Sequence, residues 1–364
     1  MKRILLIGNG FDLAHRLKTR YTDFIDDFWE RKLDAFLKTV HEKKDGEIST
    51  NSNISQIPDG YRYSDHEIII DFINNYSNQL TDSAIENYSG YKKFIYKVGQ
   101  FRLKQYANNV QFINNFLERI TENRQLYNWV DIEEEYYAVL LNCVDDLEKV
   151  KKLNEEFHCI QVALEQFLSR QLKTNIMADN QIIANINSRF SHPLYLESDY
   201  HIENCLFLNF NYTRTEKMYV APSDKVIHIH GELGKPENPI IFGYGDETGD
   251  KYKVIEEKNK NILLENIKSI KYFETRNYTE LIKFIESDIY EIFIMGHSCG
   301  ISDRTLLKIL FEHPNCLSIK VYYHKMNSVS DNYSDIVRNI SRYFSDKSLM
   351  RKKVIDKKDS QPLS

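Results

Sequence analysis

The sequence lacks the marks of several protein classes at once. Its five cysteines, Cys143, Cys159, Cys205, Cys299 and Cys316, include no Cys-x-x-Cys pair, and their number is odd. That argues against a disulfide framework or a zinc site and for reduced thiols, as in a cytoplasm. No stretch approaches the roughly 20 apolar residues of a membrane span. The opening Met-Lys-Arg is followed only by Ile4-Leu5-Leu6-Ile7 before Gly8, too short for the apolar part of a signal peptide and without a small-residue cleavage site. A cytoplasmic protein with no membrane partner is expected. An excess of positive charge is also missing: 48 Lys and Arg stand against 53 Asp and Glu, a net charge of −5. Non-specific nucleic-acid binding runs on phosphate neutralisation, so nucleic acid is not an expected partner. The 24 Tyr and 20 Phe could form a stacking surface, but large half-buried helical faces are the preferred reading. No internal repeat and no low-complexity tract is visible.

What is present is a chain of 364 residues, 42% of them hydrophobic, which suits one α/β domain with a large insertion, or two domains. Residues 3–7 form a short continuous apolar run, the look of a parallel strand buried on both faces. Similar runs recur at 206–208, 226–230, 240–242, 292–295 and 317–323. The runs 3–7, 226–230, 240–242 and 292–295 end on glycine, and 206–208 ends on asparagines. Such strand ends are where open α/β sheets bind ligands. From about 62 to 185 the text is mostly helical, with apolar residues at helical spacing in Glu67–Leu80, Gly90–Ile120, Ile132–Asn142 and Leu147–Thr174. Residues 43–60 and 244–260 read as loops. The expected organisation is a nucleotide-binding core from 1–42 and 200–345, a mainly helical insertion or lid over 43–199, and a basic, disordered tail over 346–364. The Tyr- and Leu-rich helical faces of the insertion could be core or a homo-oligomer interface.

Four constellations could carry chemistry. Gly8-Asn9-Gly10-Phe11-Asp12 follows the first strand, where glycines let backbone approach a phosphate or ribose and the next helix offers free amides. A dinucleotide fingerprint would need a third glycine where Leu13 stands, and no Gly-Lys-Ser/Thr is present, so an ordinary tight turn competes evenly. Asn209-Phe210-Asn211-Tyr212-Thr213 ends the second strand. Its asparagines point the same way if extended, and could hold a ribose, a base edge or a water, or merely cap a helix. His228-Ile229-His230-Gly231-Glu232 puts two histidines on one strand face. His230 suits acid–base work near neutral pH, whereas His228 reads as a hydrogen-bonded core residue. No third strong ligand accompanies them, so no metal is expected. Gly296-His297-Ser298-Cys299-Gly300 matches the Gly-x-Ser-x-Gly pattern of a nucleophile elbow, and Ser302 or Asp303 could simply start a helix.

Taken in order, these stations resemble the AbiH family of bacterial abortive-infection proteins. The resemblance rests on Ile-Gly-Asn-Gly-Phe-Asp-Leu-Ala-His at 7–15 with Thr19, Tyr21 and Phe24, on Trp129 to Glu133, Asn209 to Thr213 and His228 to Gly231, and on Gly296 to Ser298 with Asp303. The same order is similar, more distantly, to the SIR2-like NAD-binding fold. That resemblance implies a Rossmann-like, SIR2-like α/β fold: a mostly parallel sheet flanked by helices, with a large helical insertion after the first strand–helix unit. It implies His230 and Asn211 as catalytic residues. It implies NAD or a related nucleotide held by Gly8, Asn9, Gly10, Phe11, Asp12, Asn209, Tyr212, Gly296, His297, Ser298 and Asp303. Asn9 and a late loop about two residues long in excess depart from the SIR2-like pattern. The missing zinc-binding cysteines favour NAD cleavage at the N-glycosidic bond over deacylation. AbiH biology implies arrest of the infected host and a phage-derived trigger. Asp131 and Glu133 could reach over the site or form a solvated helix face. The rival readings are a nucleotide sensor without turnover, a hydrolase with Ser298 as nucleophile, and a nuclease-like toxin, for which no carboxylate cluster with metal spacing is present.

Overall fold

A strand that is apolar at every position needs cover on both faces, so it belongs inside a parallel sheet. Residues 3–7 are all buried, and the computed structural model places them in such a sheet. It describes residues 1–28, 31, 68–70, 110–112, 115–122, 129–175, 179–190, 202–247 and 249–363. Eight strands are described: β1 (Lys2–Ile7), β2 (Ile68–Ile70), β3 (Val110–Phe112), β4 (Asn204–Asn209), β5 (Lys225–His228), β6 (Tyr290–Met295), β7 (Cys316–Tyr323) and β8 (Gln361–Pro362). The helices are α1 (Asn9–Ala14), α2 (Asn115–Glu122), α3 (Trp129–Cys143), α4 (Leu147–Asn175), α5 (Asn180–Phe190), α6 (Asp250–Glu257), α7 (Lys268–Lys271), α8 (Asn277–Glu286), α9 (Arg304–Glu312), α10 (Tyr333–Ser341) and α11 (Lys347–Lys353).

Six strands form one all-parallel sheet in the order β5-β4-β1-β6-β7-β8. β1 is central, and the connections turn back between β1 and β6. This is the strand order of a doubly wound, Rossmann-like fold, in which ligands bind beyond the carboxyl ends of the strands at that reversal. Alternate residues face opposite layers. Ile4, Leu6, Leu208, Ile292, Ile294, Ile319 and Val321 join Leu281 and Ile285 of α8, Leu307 and Leu310 of α9, and Ile336 and Ile340 of α10 in one core. Leu5, Ile7, Phe207, Phe293, Met295 and Tyr322 pack on the other face with Phe11 of α1 and Ile186 of α5.

The chain divides into two compact units. The first comprises Met1–Thr19, Tyr136–Asp145 and Leu168–Ser364 and holds the six-stranded sheet. The second comprises Arg20–Glu135 and Asp146–Phe167. In it, Phe24 packs its ring against Trp129 and Phe167, with centroids 5.3 and 5.8 Å away. The Glu156 carboxylate accepts from the amides of Asn115 and Phe116, so a side chain from α4 satisfies the free amides at the start of α2.

Several details depart from the pattern-based expectations. Residues 68–70 and 110–112, expected to be helical, pair as antiparallel strands, because short β-branched apolar runs are ambiguous by periodicity. The rest of the 67–80 helix, residues 90–109 and the 43–60 loop lie outside the described residues. Residues 240–242 are buried yet form no strand; the Ile241 amide donates to the His230 carbonyl instead. The expected loop at 244–260 contains α6. The tail after 345, expected to be disordered, is built into the fold. Asp346 caps α11 by accepting from the Ser348 amide, the buried Lys353 amine donates to the carbonyls of Phe311 and His313, β8 pairs with β7, and Leu363 is buried. Lys347 and Lys353 donate to carbonyls at helix ends and Lys357 pairs with Asp331, which a count of charge does not reveal. No helix among the described residues is long and apolar enough to cross a membrane.

Candidate functional site

The carboxyl ends of β1 and β6 meet backbone to backbone. The Gly8 amide donates to the Met295 carbonyl at 3.2 Å, and the Gly10 amide to the Gly296 carbonyl at 2.8 Å. A Cβ on Gly8 would lie 2.5 Å from the His297 Cα, and one on Gly10 would lie 2.8 Å from the Gly296 Cα. Gly296 itself has φ +78° and stands against the Phe11 amide, where a Cβ would be 2.1 Å away. The three glycines therefore let two loops touch at the sheet's reversal point, and the space they open is filled by protein. Asn9 accepts from the Thr19 hydroxyl at 2.6 Å, and Phe11 is fully buried against the rings of His15 and Tyr219.

Beneath this turn lies a buried polar network. Asn209 ends β4 and donates its amide to the Thr213 carbonyl and to Glu216, while its oxygen accepts from the Asn211 amide. Asn211 donates its side-chain amide to the Gly8 carbonyl at 3.0 Å, tying the end of β4 to the first turn. Glu216, fully buried, also faces His228 at 3.0 Å. Burial works against charge on His228, but the hydrogen bond and charge of Glu216 outweigh it and raise the histidine's pKa. Asp12, 1% exposed, accepts from the Thr213 hydroxyl through Oδ2 at 2.6 Å, and its Oδ1 has no hydrogen-bond partner among the described residues. Burial pushes the Asp12 carboxyl up to about 6, against the hydrogen bonds of Thr213 and Thr215. Tyr212 donates to the Ile241 carbonyl.

The second cluster is built around Asp303. Its Oδ1 lies 3.2 Å from His230 Nε2 and accepts from the Lys268 amine at 2.9 Å; its Oδ2 lies 3.5 Å from His297 Nε2. All four side chains are buried. His297 Nδ1 accepts from the Cys299 amide, so its proton sits on Nε2, toward the carboxylate. The Tyr272 hydroxyl lies 3.1 Å from His230 Nε2, and the Phe210 ring packs edge-on against both histidines. Burial would raise the Asp303 pKa, but the charge of Lys268 and the contacts with His230 and His297 hold it well below the ordinary carboxylate range. Burial and then the Lys268 charge push His230 down to about 4, against the attraction of Asp303. At neutral pH His230 is thus uncharged. With Nε2–H toward Asp303, Nδ1 keeps its lone pair and has no hydrogen-bond partner among the described residues.

The expected site residues accordingly fall into two neighbouring groups. Gly8, Asn9, Gly10, Asp12, Asn209 and Asn211 surround the first turn, and His230, His297 and Asp303 form the second cluster. Ser298 is exposed. The histidine before it is turned toward Asp303, and the left-handed residue after it, besides Gly296 earlier in the loop, is Cys299, φ +52°, which is buried. No acid–histidine relay reaches the Ser298 hydroxyl among the described residues, so the geometry gives the elbow reading no support. No metal-ligating group of His, Cys, Asp and Glu occurs among the described residues. Pattern reasoning missed Lys268, Tyr272 and Glu216. Lys268 and Tyr272 follow a polar loop with no strand-end context. Glu216 sits seven residues past Asn209 in a 3₁₀ turn, and its only signal is proximity to the Asn209–Thr213 run.

A central parallel strand, a glycine turn after it and acid–base side chains at neighbouring strand ends give a Rossmann-like α/β protein with a candidate site at the sheet's reversal. Residues 4–325 match the family described as "Bacteriophage abortive infection AbiH". The chain belongs to that family. Neither a curated protein nor a solved structure matches it.

Proposed function

We propose that this abortive-infection protein cleaves the N-glycosidic bond of NAD, or of a related nucleotide, when phage infection triggers it. The observation that carries the reading is the Asp303–His230 pair, an ionised carboxylate against a neutral imidazole whose second nitrogen is free. Departure of nicotinamide leaves an oxocarbenium-like ribose, for which positioning and electrostatics supply most of the help. His230 Nδ1 takes the proton of the attacking water or of a ribose hydroxyl, and the water oxygen bonds the anomeric carbon. Asp303 fixes the tautomer of His230 and stabilises the imidazolium that forms. Asn211 positions the water or the ribose. The buried, partnerless Oδ1 of Asp12 suits a ligand hydroxyl, which would restore its missing hydrogen bond.

A second reading is a nucleotide sensor without turnover: burial holds His230 at about 4, below the neutral range in which a general base works best. The Gly8 and Gly10 amides already donate to Met295 and Gly296, so in either reading the phosphates rest on other groups. The test is incubation of the full chain with NAD, with and without extract from phage-infected cells, beside His230→Ala and Asn211→Ala. Nicotinamide release by the wild type, reduced about a hundredfold or more in His230→Ala, is expected. Host arrest with NAD intact under every trigger refutes the chemistry, and calorimetric binding without product selects the sensor.

A further inference from the structure

On the opposite side of the molecule's chemistry, a cluster of cations lies on one face of the sheet. The register pairs Arg3 with Glu291, Glu291 with Ser318, and Phe293 with Lys320, which puts Arg3, Glu291, Phe293, Lys320 and Tyr322 on the same face. Arg3 is 5% exposed, Lys320 5% and Glu291 1%. Arg3 has its partners: Nε meets Glu291 Oε1 at 2.5 Å, Nη1 donates to the Phe190 carbonyl at the end of α5, and the guanidinium stacks 4.2 Å over the Phe293 ring. The Arg189 carbonyl is taken too, by the Tyr322 hydroxyl at 2.9 Å. Both helix-end carbonyls that could have served a further cation are therefore occupied.

Two cationic groups are left over. The Lys320 amine stands 5.4 Å over the Tyr322 ring and makes no hydrogen bond or ion pair among the described residues. Arg189, half-buried on α5, donates Nη1 to Gln361 at 2.7 Å, while its Nε is buried without a partner among the described residues. Among the described residues, the one buried carboxylate on this face, Glu291, is engaged by Arg3. Among the described residues, three cations thus face two carboxylates, the buried Glu291 and the exposed Asp359. Burial pushes the Lys320 pKa down, and Arg3 and Arg189 add to that against Asp359 and Glu291. An unpaired buried cation is costly to keep, and an anion bound beside it would offset that cost.

We propose that Arg189 and Lys320, backed by Arg3, form a second binding site that takes a phosphate or pyrophosphate group, separate from the Asp303 cluster and independent of the proposed NAD chemistry. Among the described residues Arg3, Arg189 and Lys320 outnumber Glu291 and Asp359 by one positive charge, which suits an anionic group. The planar Arg189 fork and the compact Lys320 ammonium supply the two donor geometries used for phosphate.

The test uses the full chain and sodium pyrophosphate, against sodium chloride at equal ionic strength, by calorimetry and thermal unfolding. Pyrophosphate is expected to bind one to one and to raise Tm by about 3 °C or more at saturation. Lys320→Met and Arg189→Gln should each weaken binding at least tenfold. Lys320→Met should also unfold no lower than the wild type without ligand, because an isosteric apolar chain replaces an unpaired charge. Should that variant fail to fold, the half-buried Arg189→Gln carries the test. Tighter binding of ADP than of pyrophosphate identifies the phosphates of a nucleotide as the occupant; equal binding identifies free pyrophosphate. A wild-type response no larger than that to chloride, or variants that bind as well as the wild type, overturns the proposal.

Discussion

Asp12 offers the sharpest test of the buried network under the first turn. Its carboxyl is displaced from 3.8 to about 6, chiefly by burial. The native state therefore holds a proton that the unfolded chain has already released between those two values. The stabilisation is fully present below pH 3.8 and is lost as pH rises through about 6. Above both values the charged Asp12 costs about 3 kcal/mol, since each pKa unit is worth about 1.4 kcal/mol. Asp12→Asn removes that cost but weakens the bond from Thr213, which is worth about 1 kcal/mol. A net gain of about 2 kcal/mol at pH 8 follows, a rise in Tm of about 5 °C. At pH 4.5, where the native carboxyl is already neutral, the variant should gain nothing. Urea unfolding of both proteins at the two pH values reads this directly, and a carbon-13 titration of the Asp12 carboxyl reads the midpoint. A variant destabilised equally at both pH values, or an Asp12 midpoint at or below 3.8, refutes the reasoning.

Two further outcomes follow from the site. Gly296→Ala places a Cβ 2.1 Å from the Phe11 amide at a left-handed φ, so it should destabilise by about 3 kcal/mol or more, measured by urea unfolding, whereas Gly234→Ala, with open space around it, should cost about 1 kcal/mol. Lys268→Met removes the charge that helps hold His230 down. The His230 midpoint, followed by proton NMR of the imidazole, should move up from about 4 toward neutrality, and stability should fall by about 3 kcal/mol because Asp303 stays buried without its ammonium. A His230 midpoint unchanged in that variant would show that burial alone sets it.

The sheet was legible because its strands are short, continuously apolar and closed by glycine or asparagine. Residues 3–7, 206–208 and 292–295 became neighbouring strands in one sheet. The same signal failed at 240–242, where an equally apolar run is buried beside His230 without joining a ladder. β8 was invisible, since two residues that include Pro362 carry no period. Of the site, His230, Asn211, His297 and Asp303 could be named because each stands at or just beyond a strand end. Lys268 and Tyr272 could not, because a buried lysine in a polar stretch looks like surface until its carboxylate is known. The glycine turn was read as room for a ligand. A glycine makes room without stating for what, and here His297 and Gly296 take it.

That contact between Gly10 and Gly296 has a consequence in time as well as space. In the order of synthesis the central strand precedes both of its neighbours, which pair it from Asn204 and Tyr290. At about 5–20 residues per second, β6 follows β1 by about 15–60 s. Until then β1 has one edge with nothing to pair, and neither Asp303 nor Gly296 exists to complete the site. A chain cut before β6 therefore lacks both the Gly10–Gly296 contact and the Asp303 carboxylate that gathers His230, Lys268 and His297.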